Sequence, residues 1–172
     1  MSHAYFRGIN SYKASYFIGK DFKIFSSYAQ LYTFCAIYGR INGVYSKENQ
    51  TPSEGEYAGM VNEIRSEYLT GDMRMYRRLI LLTEEITSRT DAEKIDATFR
   101  YDFKDHEIEK QNDDIIEWYA IGGLNKLYDK FKNLDDKESI TRTFDEILDT
   151  MYKDFGLIEV KDDFDEFDED YL

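Results

Sequence analysis

The side chains that could carry out chemistry are few in this sequence, and the best candidate centre is His106. It is one of two histidines, with Asp102 four residues before it and Glu109 three residues after it. A helix would place this imidazole and both carboxylates on one face, whereas a metal site needs three or four supported ligands. Because the chain holds 35 acidic residues, such neighbours arise by chance. We predict no metal site, and a small hydrolase centred on His106 is the least favoured function.

Nucleophilic and cofactor chemistry have less support. The single cysteine, Cys35, lies in an uncharged apolar stretch without a histidine beside it, which is typical of a small buried thiol. The sequence has no Gly-Lys-Ser/Thr phosphate loop and no dinucleotide-binding glycine motif. The acidic C-terminal segment lacks the glycine and the ligand spacing of a calcium loop. We predict no catalytic residues and no cofactor.

The distribution of charged residues indicates binding surfaces rather than a catalytic site. The net charge of −13 argues against non-specific binding to duplex nucleic acid, because phosphate contacts need Lys and Arg. The densest basic cluster is predicted on the outer face of a helix and consists of Arg74, Arg77, Arg78 and Arg89. The inner face of that helix is predicted to hold Leu79, Ile80, Leu82, Thr83 and Ile86, together with Met75 or Tyr76. The candidate nucleic-acid contacts are Arg74, Arg77 and Arg78. These arginines either pair with acidic neighbours or contact a phosphate, so they are a weak candidate site for nucleic acid.

Residues 1–24 alternate aromatic and polar side chains with lysines among them, and we predict an extended arm. Such a segment can bind single-stranded nucleic acid by stacking and phosphate pairing, or it can pack its rings on the body of the protein. The candidate partner contacts in this arm are Tyr12, Tyr16 and Phe17.

Residues 161–172 carry seven carboxylates with three aromatic residues among them, and we predict a flexible acidic tail. One interpretation is a solubilising terminus. The other is a mimic of a nucleic-acid strand, which docks in a basic groove of a partner or on the basic patch of this chain. The candidate contacts are then Phe164, Phe167 and Tyr171.

Hydrophobic spacing predicts a helical domain over residues 25–160 that would position these surfaces. The fold class is all-α, as one compact domain of five to six helices. The main helices are predicted at about 27–38, 54–69, 73–88, 105–132 and 137–155, with a short helix after Asp91. The predicted N-caps are Ser26 or Ser27, Ser53, Asp72, and Asp135 or Asp136.

Three glycines mark special positions in this helical pattern. Gly39 is predicted to end the first helix as a left-handed residue. Gly122 and Gly123 lie inside the long helix, where two glycines cost roughly 1–2 kcal/mol relative to alanine. They therefore indicate a kink, a break or a close helix crossing. The apolar stripe of this helix is predicted to include Trp118 or Tyr119, and Trp118, beside the two glycines, is predicted to anchor the core.

The composition indicates a globular protein with a single domain. The chain of 172 residues is 42% hydrophobic and 16% aromatic, which is sufficient for one domain with its own core. No apolar run reaches the roughly 18 residues of a membrane span, and the N-terminus lacks the apolar core of a signal peptide. We predict a cytoplasmic protein without membrane contact.

Two segments resemble the small helical proteins encoded beside bacterial DNA phosphorothioation (Dnd) genes, the Dnd system-associated accessory family. One is a spaced pattern of aromatic and small residues: Phe25, Ser27, Tyr32, Cys35, Ala36 and Gly39. The other is Tyr119-Ala120-Ile121-Gly122-Gly123-Leu124, which is similar to the family's Tyr-Ala-x-Gly-Gly-Ile/Leu signature. The resemblance covers about residues 22–134. It implies a mostly helical protein from a bacterial defence or DNA-modification operon, and it brings no catalytic residues.

These observations predict a non-catalytic accessory or scaffolding subunit of a bacterial antiviral defence or DNA-modification complex, which acts through protein–protein contacts. The expected partners are a larger ATPase subunit, a nuclease subunit, or both, from the same operon, with DNA contact secondary. The alternative is a nucleic-acid-binding module regulated by its acidic tail.

Overall fold

The structure is a computed structural model that describes residues 4–19, 23–64 and 72–154. In chain order its elements are β1 (Ala4–Arg7), α1 (Ile9–Ile18), α2 (Tyr28–Ile41), β2 (Val61–Ile64), α3 (Asp72–Thr83), α4 (Asp91–Ile95), a π-helix (Asp96–Tyr101), α5 (His106–Phe131) and α6 (Lys137–Asp154). The predicted all-α class is confirmed, because strands occur in these ranges only as one two-stranded sheet. The predicted tail at 161–172, with Phe164, Phe167 and Tyr171, lies outside the described residues.

The core is built on the crossing of α2 and α5, where the two backbones approach too closely for ordinary side chains. A Cβ atom on Gly123 would overlap the carbonyl oxygen of Cys35, and a Cβ atom on Gly39 would overlap that of Tyr119. The helix α5 continues through both of its glycines, and the close crossing requires Gly123. Gly122 instead makes room for the backbone of Val44 and Tyr45, which follow α2. The prediction that Gly39 ends α2 is wrong: the helix continues to Ile41 because this glycine serves packing.

Four of the described helices begin at side-chain caps, and the sequence indicated two of these caps. Thr90 caps α4 by accepting from the Glu93 amide, as part of a capping box. Ser27 accepts a hydrogen bond from the Gln30 amide at 3.2 Å, and Asp136 accepts one from the Ser139 amide at 2.8 Å. Asp105 caps α5 by accepting from the amides of Glu107 and Ile108. These bonds satisfy amides that the first helical turn leaves without a partner.

The predicted extended arm is wrong for residues 4–19, which form β1 and α1. The strand pairs antiparallel with β2, so that Ala4 lies opposite Ile64. In α1, Phe17 is fully buried with its ring centroid 5.6 Å from that of Phe131. The segment is therefore part of the core, because its large apolar rings gain more from burial than from solvation.

The predicted helix at 54–69 is wrong over residues 54–64, and its remainder lies outside the described residues. Gly55 and Gly59 adopt φ angles of 100° and 69°, which fit turns and not a helix. Val61–Ile64 then forms β2. Ser53 consequently caps no helix.

Tyr119 takes the core position that we predicted for Trp118. Tyr119 is 1% exposed, and its hydroxyl accepts a hydrogen bond from the Glu85 amide at 3.1 Å. Trp118 is half-buried, with the Lys47 ammonium 4.1 Å from its ring centroid. The core prediction was therefore wrong by one position on the helix. Within the three described ranges no helix is long and apolar enough to cross a membrane.

Candidate docking surface

Arg77 lies inside the protein, and the prediction that it faces outward from α3 is wrong. The residue is 3% exposed. Its Nε and Nη2 atoms donate to the two carboxylate oxygens of Asp102 at 3.1 and 2.9 Å, and Nη1 donates to Asp113 at 2.7 Å. Asn112 donates to the same Asp102 carboxylate at 3.0 Å. Two carboxylates thus compensate the burial of the guanidinium charge, and the Asn112 amide in turn stabilises the buried Asp102 carboxylate.

This ion cluster determines which face of α3 is turned inward. Because Arg77 points to α5, the neighbouring positions Ile80 and Leu81 also face the core, with exposures of 3% and 0%. Met75 and Leu79 consequently face solvent, with exposures of 59% and 40%. The prediction that Leu79, together with Met75 or Tyr76, lies on the inner face is wrong, because it assumed that every charge on the helix is solvated; Tyr76 is also 36% exposed.

Exposed apolar side chains are concentrated on α3 and on the neighbouring segment from α4 to the π-helix. Six of the eleven large apolar side chains that are exposed among the described residues lie there: Met75, Tyr76, Leu79, Ile95, Phe99 and Tyr101. Part of this surface is an open groove of about 370 Å³, which we call the α3–π groove. Its lining residues are Arg74, Met75, Arg78, Leu79, Leu82 and Phe99.

The π-helix presents Phe99 to this groove while Ala97 and Thr98 remain buried. The side-chain amide of Asn112 donates to the Ala97 carbonyl oxygen at 3.1 Å and to Asp102 at 3.0 Å, so one residue of α5 binds both the π-helix and the ion cluster. Widened helical turns of this kind occur frequently at functional sites. The same buried contacts therefore hold both walls of the groove.

The edge of the groove is positively charged. The Arg78 guanidinium lies 5.3 Å from the Phe99 ring centroid, and the Arg74 guanidinium lies 5.3 Å from that of Phe103. Neither arginine forms an ion pair with any other described residue. Of the three predicted nucleic-acid contacts, Arg74 and Arg78 thus share one accessible surface and Arg77 does not.

Phe103 has the one left-handed backbone among the described non-glycine residues, with a φ of 64°. That conformation costs a bulky residue on the order of 1–3 kcal/mol. It places the ring against both Arg74 and Arg77, at 5.3 and 5.2 Å from the guanidinium carbons. The strained residue therefore links the buried ion cluster to the exposed arginine.

The N-terminal candidates divide between core and surface. Tyr16 donates its hydroxyl hydrogen to the Phe131 carbonyl oxygen at 2.9 Å, and Phe17 is fully buried, so both stabilise the fold. Tyr12 is 44% exposed and packs on Tyr57 and Tyr128, with ring centroids 5.4 and 6.4 Å away. This tyrosine cluster is a second, smaller aromatic surface.

The residues that the sequence analysis considered for catalysis or metal binding, Asp102, His106 and Cys35, do not form a common site. Asp102 is bound to Arg77, while His106 is exposed at the first turn of α5. Burial raises the pKa of the Cys35 thiol far above its ordinary value, which disfavours the reactive thiolate. Among the described residues no group of three or more His, Cys, Asp or Glu side chains could hold a metal ion.

Sequence reasoning missed the buried role of Arg77 and the exposed roles of Met75, Leu79 and Phe99. A signal was present, because Arg77 shares a helix face with Ile80 and Leu81. That spacing alone cannot identify the carboxylates that would receive the buried charge, since they lie 25 and 36 residues further along the chain.

Comparisons of the chain with protein-family models, with curated proteins and with solved structures found no match. The resemblance to the Dnd-associated accessory family stays a prediction. A function must therefore be inferred from the surface itself, and the α3–π groove is its most distinctive part.

Proposed function

We propose that this protein is a non-catalytic accessory subunit that binds a larger protein through the α3–π groove. The observation that carries the proposal is the exposed apolar surface of α3 and the π-helix, held in place by the buried cluster around Arg77. Exposed apolar surface rimmed by polar residues is typical of protein interaction sites. Arginine and aromatic side chains, which edge this groove, are enriched in such interfaces.

The proposed setting is a bacterial, cytoplasmic antiviral defence or DNA-modification complex, and the proposed partner is its ATPase or nuclease subunit. This part rests on the resemblance of the segments around Cys35 and Gly122 to the Dnd-associated accessory family. The structural use of Asp102 and the burial of Cys35 support a role in contacts rather than in catalysis.

One observation favours nucleic-acid binding as a second candidate. Arg74 and Arg78 form no ion pair with other described residues, and Phe99 beside them is 53% exposed. Arginines next to an exposed aromatic ring can bind single-stranded nucleic acid, because the arginines contact phosphates and the ring stacks on a base. The net charge of −13 opposes this candidate.

Fluorescence anisotropy with a labelled single-stranded oligonucleotide tests the second candidate. Binding that weakens steeply with salt and is lost in Arg74→Ala/Arg78→Ala, but not in the exposed control Lys130→Ala, would support it. No binding at about 50 mM salt would exclude it.

Affinity capture tests the protein-binding proposal. The tagged full chain is expressed with the genes that flank its own, and the captured proteins are identified and quantified by mass spectrometry. The test variant is Leu79→Ser/Phe99→Ser, and the matched control is Tyr152→Ser, because Tyr152 is 58% exposed on α6. Melting temperatures of all three proteins confirm that each is folded.

We expect stoichiometric capture of an ATPase or nuclease subunit by the wild type and by Tyr152→Ser, and its loss in the groove variant. Equal capture of the partner by both variants would show that the partner binds outside the groove. Recovery of the wild-type chain alone, or with nucleic acid only, would contradict the proposed function.

A further inference from the structure

The α3–π groove has a chemical character that defines the segment it would accept. Met75, Leu79 and Leu82 follow one another at intervals of four and three residues on α3, which gives an apolar stripe of two helical turns. Arg74 and Arg78 border this stripe without ion pairs to other described residues. A complementary peptide would carry apolar side chains at similar intervals and carboxylates beside them.

The chain itself contains such a segment. Residues 161–172 hold seven carboxylates and a single lysine. Phe164, Phe167 and Tyr171 are separated by three and four residues, an interval that puts three rings on one face of a helix. Both the sign of the charge and the apolar spacing of this segment therefore match the groove.

We propose that residues 161–172 occupy the α3–π groove of the same chain and compete with the partner protein. The aromatic side chains contact Met75 and Leu79, and the acidic side chains lie against Arg74 and Arg78. The inference rests on the proposed function in one respect, because the segment regulates partner binding only if the partner uses this groove.

The length of the chain permits this contact. The last described helix ends at Asp154, and Phe164, the first ring of the segment, follows ten residues later. Ten extended residues reach roughly 33 Å, which is about twice the radius of gyration of about 15 Å expected for a domain of this size. That reach covers most of the surface of the domain.

Because residues 161–172 belong to the same chain as the groove, even a weak contact is sufficient to fill it. Covalent attachment through a few residues gives an effective concentration on the order of 1 mM, so a segment that binds in trans with a Kd of about 0.1 mM fills the groove roughly 90% of the time. A partner that needs the free groove then binds about tenfold more weakly than it would without the segment.

Methyl NMR of the full chain tests the contact, because Met75 lies in the groove and is one of five methionines. Methionine methyl groups are labelled in the wild type and in a full-length variant with Phe164→Ser, Phe167→Ser and Tyr171→Ser. Met60 and Met151 lie outside the groove lining and serve as internal references. Melting temperatures confirm that both proteins are folded.

We expect the Met75 methyl resonance of the wild type to be displaced upfield from its position in the variant by the ring currents, with both references unchanged. Raising the salt from about 50 to about 500 mM should move the wild-type resonance toward the variant position, since exposed charges are screened. An identical Met75 resonance in both proteins would overturn the proposal. A displacement that disappears on dilution would also overturn it, because the occupant would then be a second copy.

Affinity capture separates this proposal from the proposed function. If both hold, the tail variant captures the partner about tenfold more tightly than the wild type does. If Met75 does not respond to the tail while Leu79→Ser/Phe99→Ser still loses the partner, only the tail contact is wrong. If Met75 responds and the groove variant keeps its partner, only the proposed function is wrong.

Discussion

At the scale of single residues, Arg77 is the side chain on which the docking surface depends. Replacing it with alanine would leave the buried Asp102 carboxylate without its cation, and breaking a buried ion pair from one side typically costs about 3–5 kcal/mol. We expect Arg77→Ala to lower the free energy of unfolding by that amount in urea denaturation. Arg74→Ala, which removes an exposed arginine from the same helix, should change it by less than about 0.5 kcal/mol.

A similar small loss for both variants would contradict a buried role for Arg77. Because α3 also buries Ile80 and Leu81, the alanine variant should keep its helix content at low denaturant. Circular dichroism of the folded variant checks this expectation.

Glu117 gives the protein a pH dependence of stability. Burial raises the pKa of its carboxyl, opposed by a hydrogen bond with Asn49 and by the charge of Arg7. A pKa raised in the folded state means that the stabilisation is fully present below the unfolded value of about 4.3 and is lost as the pH rises through the folded pKa. We expect Glu117→Gln to melt at a higher temperature than the wild type at pH 8 and at a similar temperature near pH 4.

The control for this prediction is Glu138→Gln, because Glu138 is exposed in the first turn of α6. Thermal melts of the three proteins between about pH 4 and pH 8 provide the comparison. A difference between Glu117→Gln and wild type that does not change with pH would show that the carboxyl charge is not its source.

At the scale of elements, the close crossing of α2 and α5 predicts that a Gly→Ala change inside a helix destabilises the protein, which is the opposite of its usual effect. A Gly→Ala change inside an ordinary helix stabilises it by about 1 kcal/mol. At Gly123 the new methyl group would overlap the Cys35 carbonyl oxygen, and overpacking typically costs about 1–3 kcal/mol. We therefore expect Gly123→Ala to lower the free energy of unfolding in urea.

Lys130→Ala is the control, because it changes an exposed position of the same helix. Its free energy of unfolding should stay within about 0.5 kcal/mol of the wild-type value. Stabilisation by Gly123→Ala would mean that the two helices are further apart than the structure has them.

Local signals predicted some elements well and others poorly. The helices α2, α5 and α6 were predicted nearly to their ends, because each has a capping side chain and an apolar stripe that both act within a few residues. The strand β2 was predicted as a helix, because its pairing with β1 joins residues 54 to 60 positions apart. Gly39 was misassigned for the same reason, since its contact with α5 is distant in sequence.

At the scale of the whole molecule, the groove places positive charge on a protein whose net charge is −13. Charges at the rim of an interface mainly affect the association rate and its dependence on salt. We expect Arg74→Ala/Arg78→Ala to slow association with the captured partner and to flatten its salt dependence. Surface plasmon resonance at low and high salt measures both effects.

A matched control is Lys130→Ala, which removes positive charge from α5, outside the lining of the groove. If this variant changes the association rate as much as the double arginine variant does, net charge governs association and the groove does not. An unchanged rate in the control would attribute the effect to Arg74 and Arg78.

The candidate site could be predicted only in part. The sequence predicted Arg74, Arg77 and Arg78 on one outer face, and of these the structure places Arg74 and Arg78 at the groove and buries Arg77. It could not identify Met75, Leu79 and Phe99 as a surface. Their exposure follows from the burial of Arg77, which pairs with two carboxylates much further along the chain, Asp102 and Asp113. Apolar residues at helical spacing are ordinarily core, and here one buried charge rotates the helix.

Hydrogen–deuterium exchange of the full chain, free and bound to the captured ATPase or nuclease subunit, tests the central claim most directly. If the α3–π groove is the docking surface, the amides of α3 and the π-helix, residues 72–83 and 96–101, become protected in the complex while those of α6 exchange as before. Protection confined to α1 around Tyr12, with α3 and the π-helix unchanged, would contradict the claim and would transfer the docking role to the tyrosine cluster.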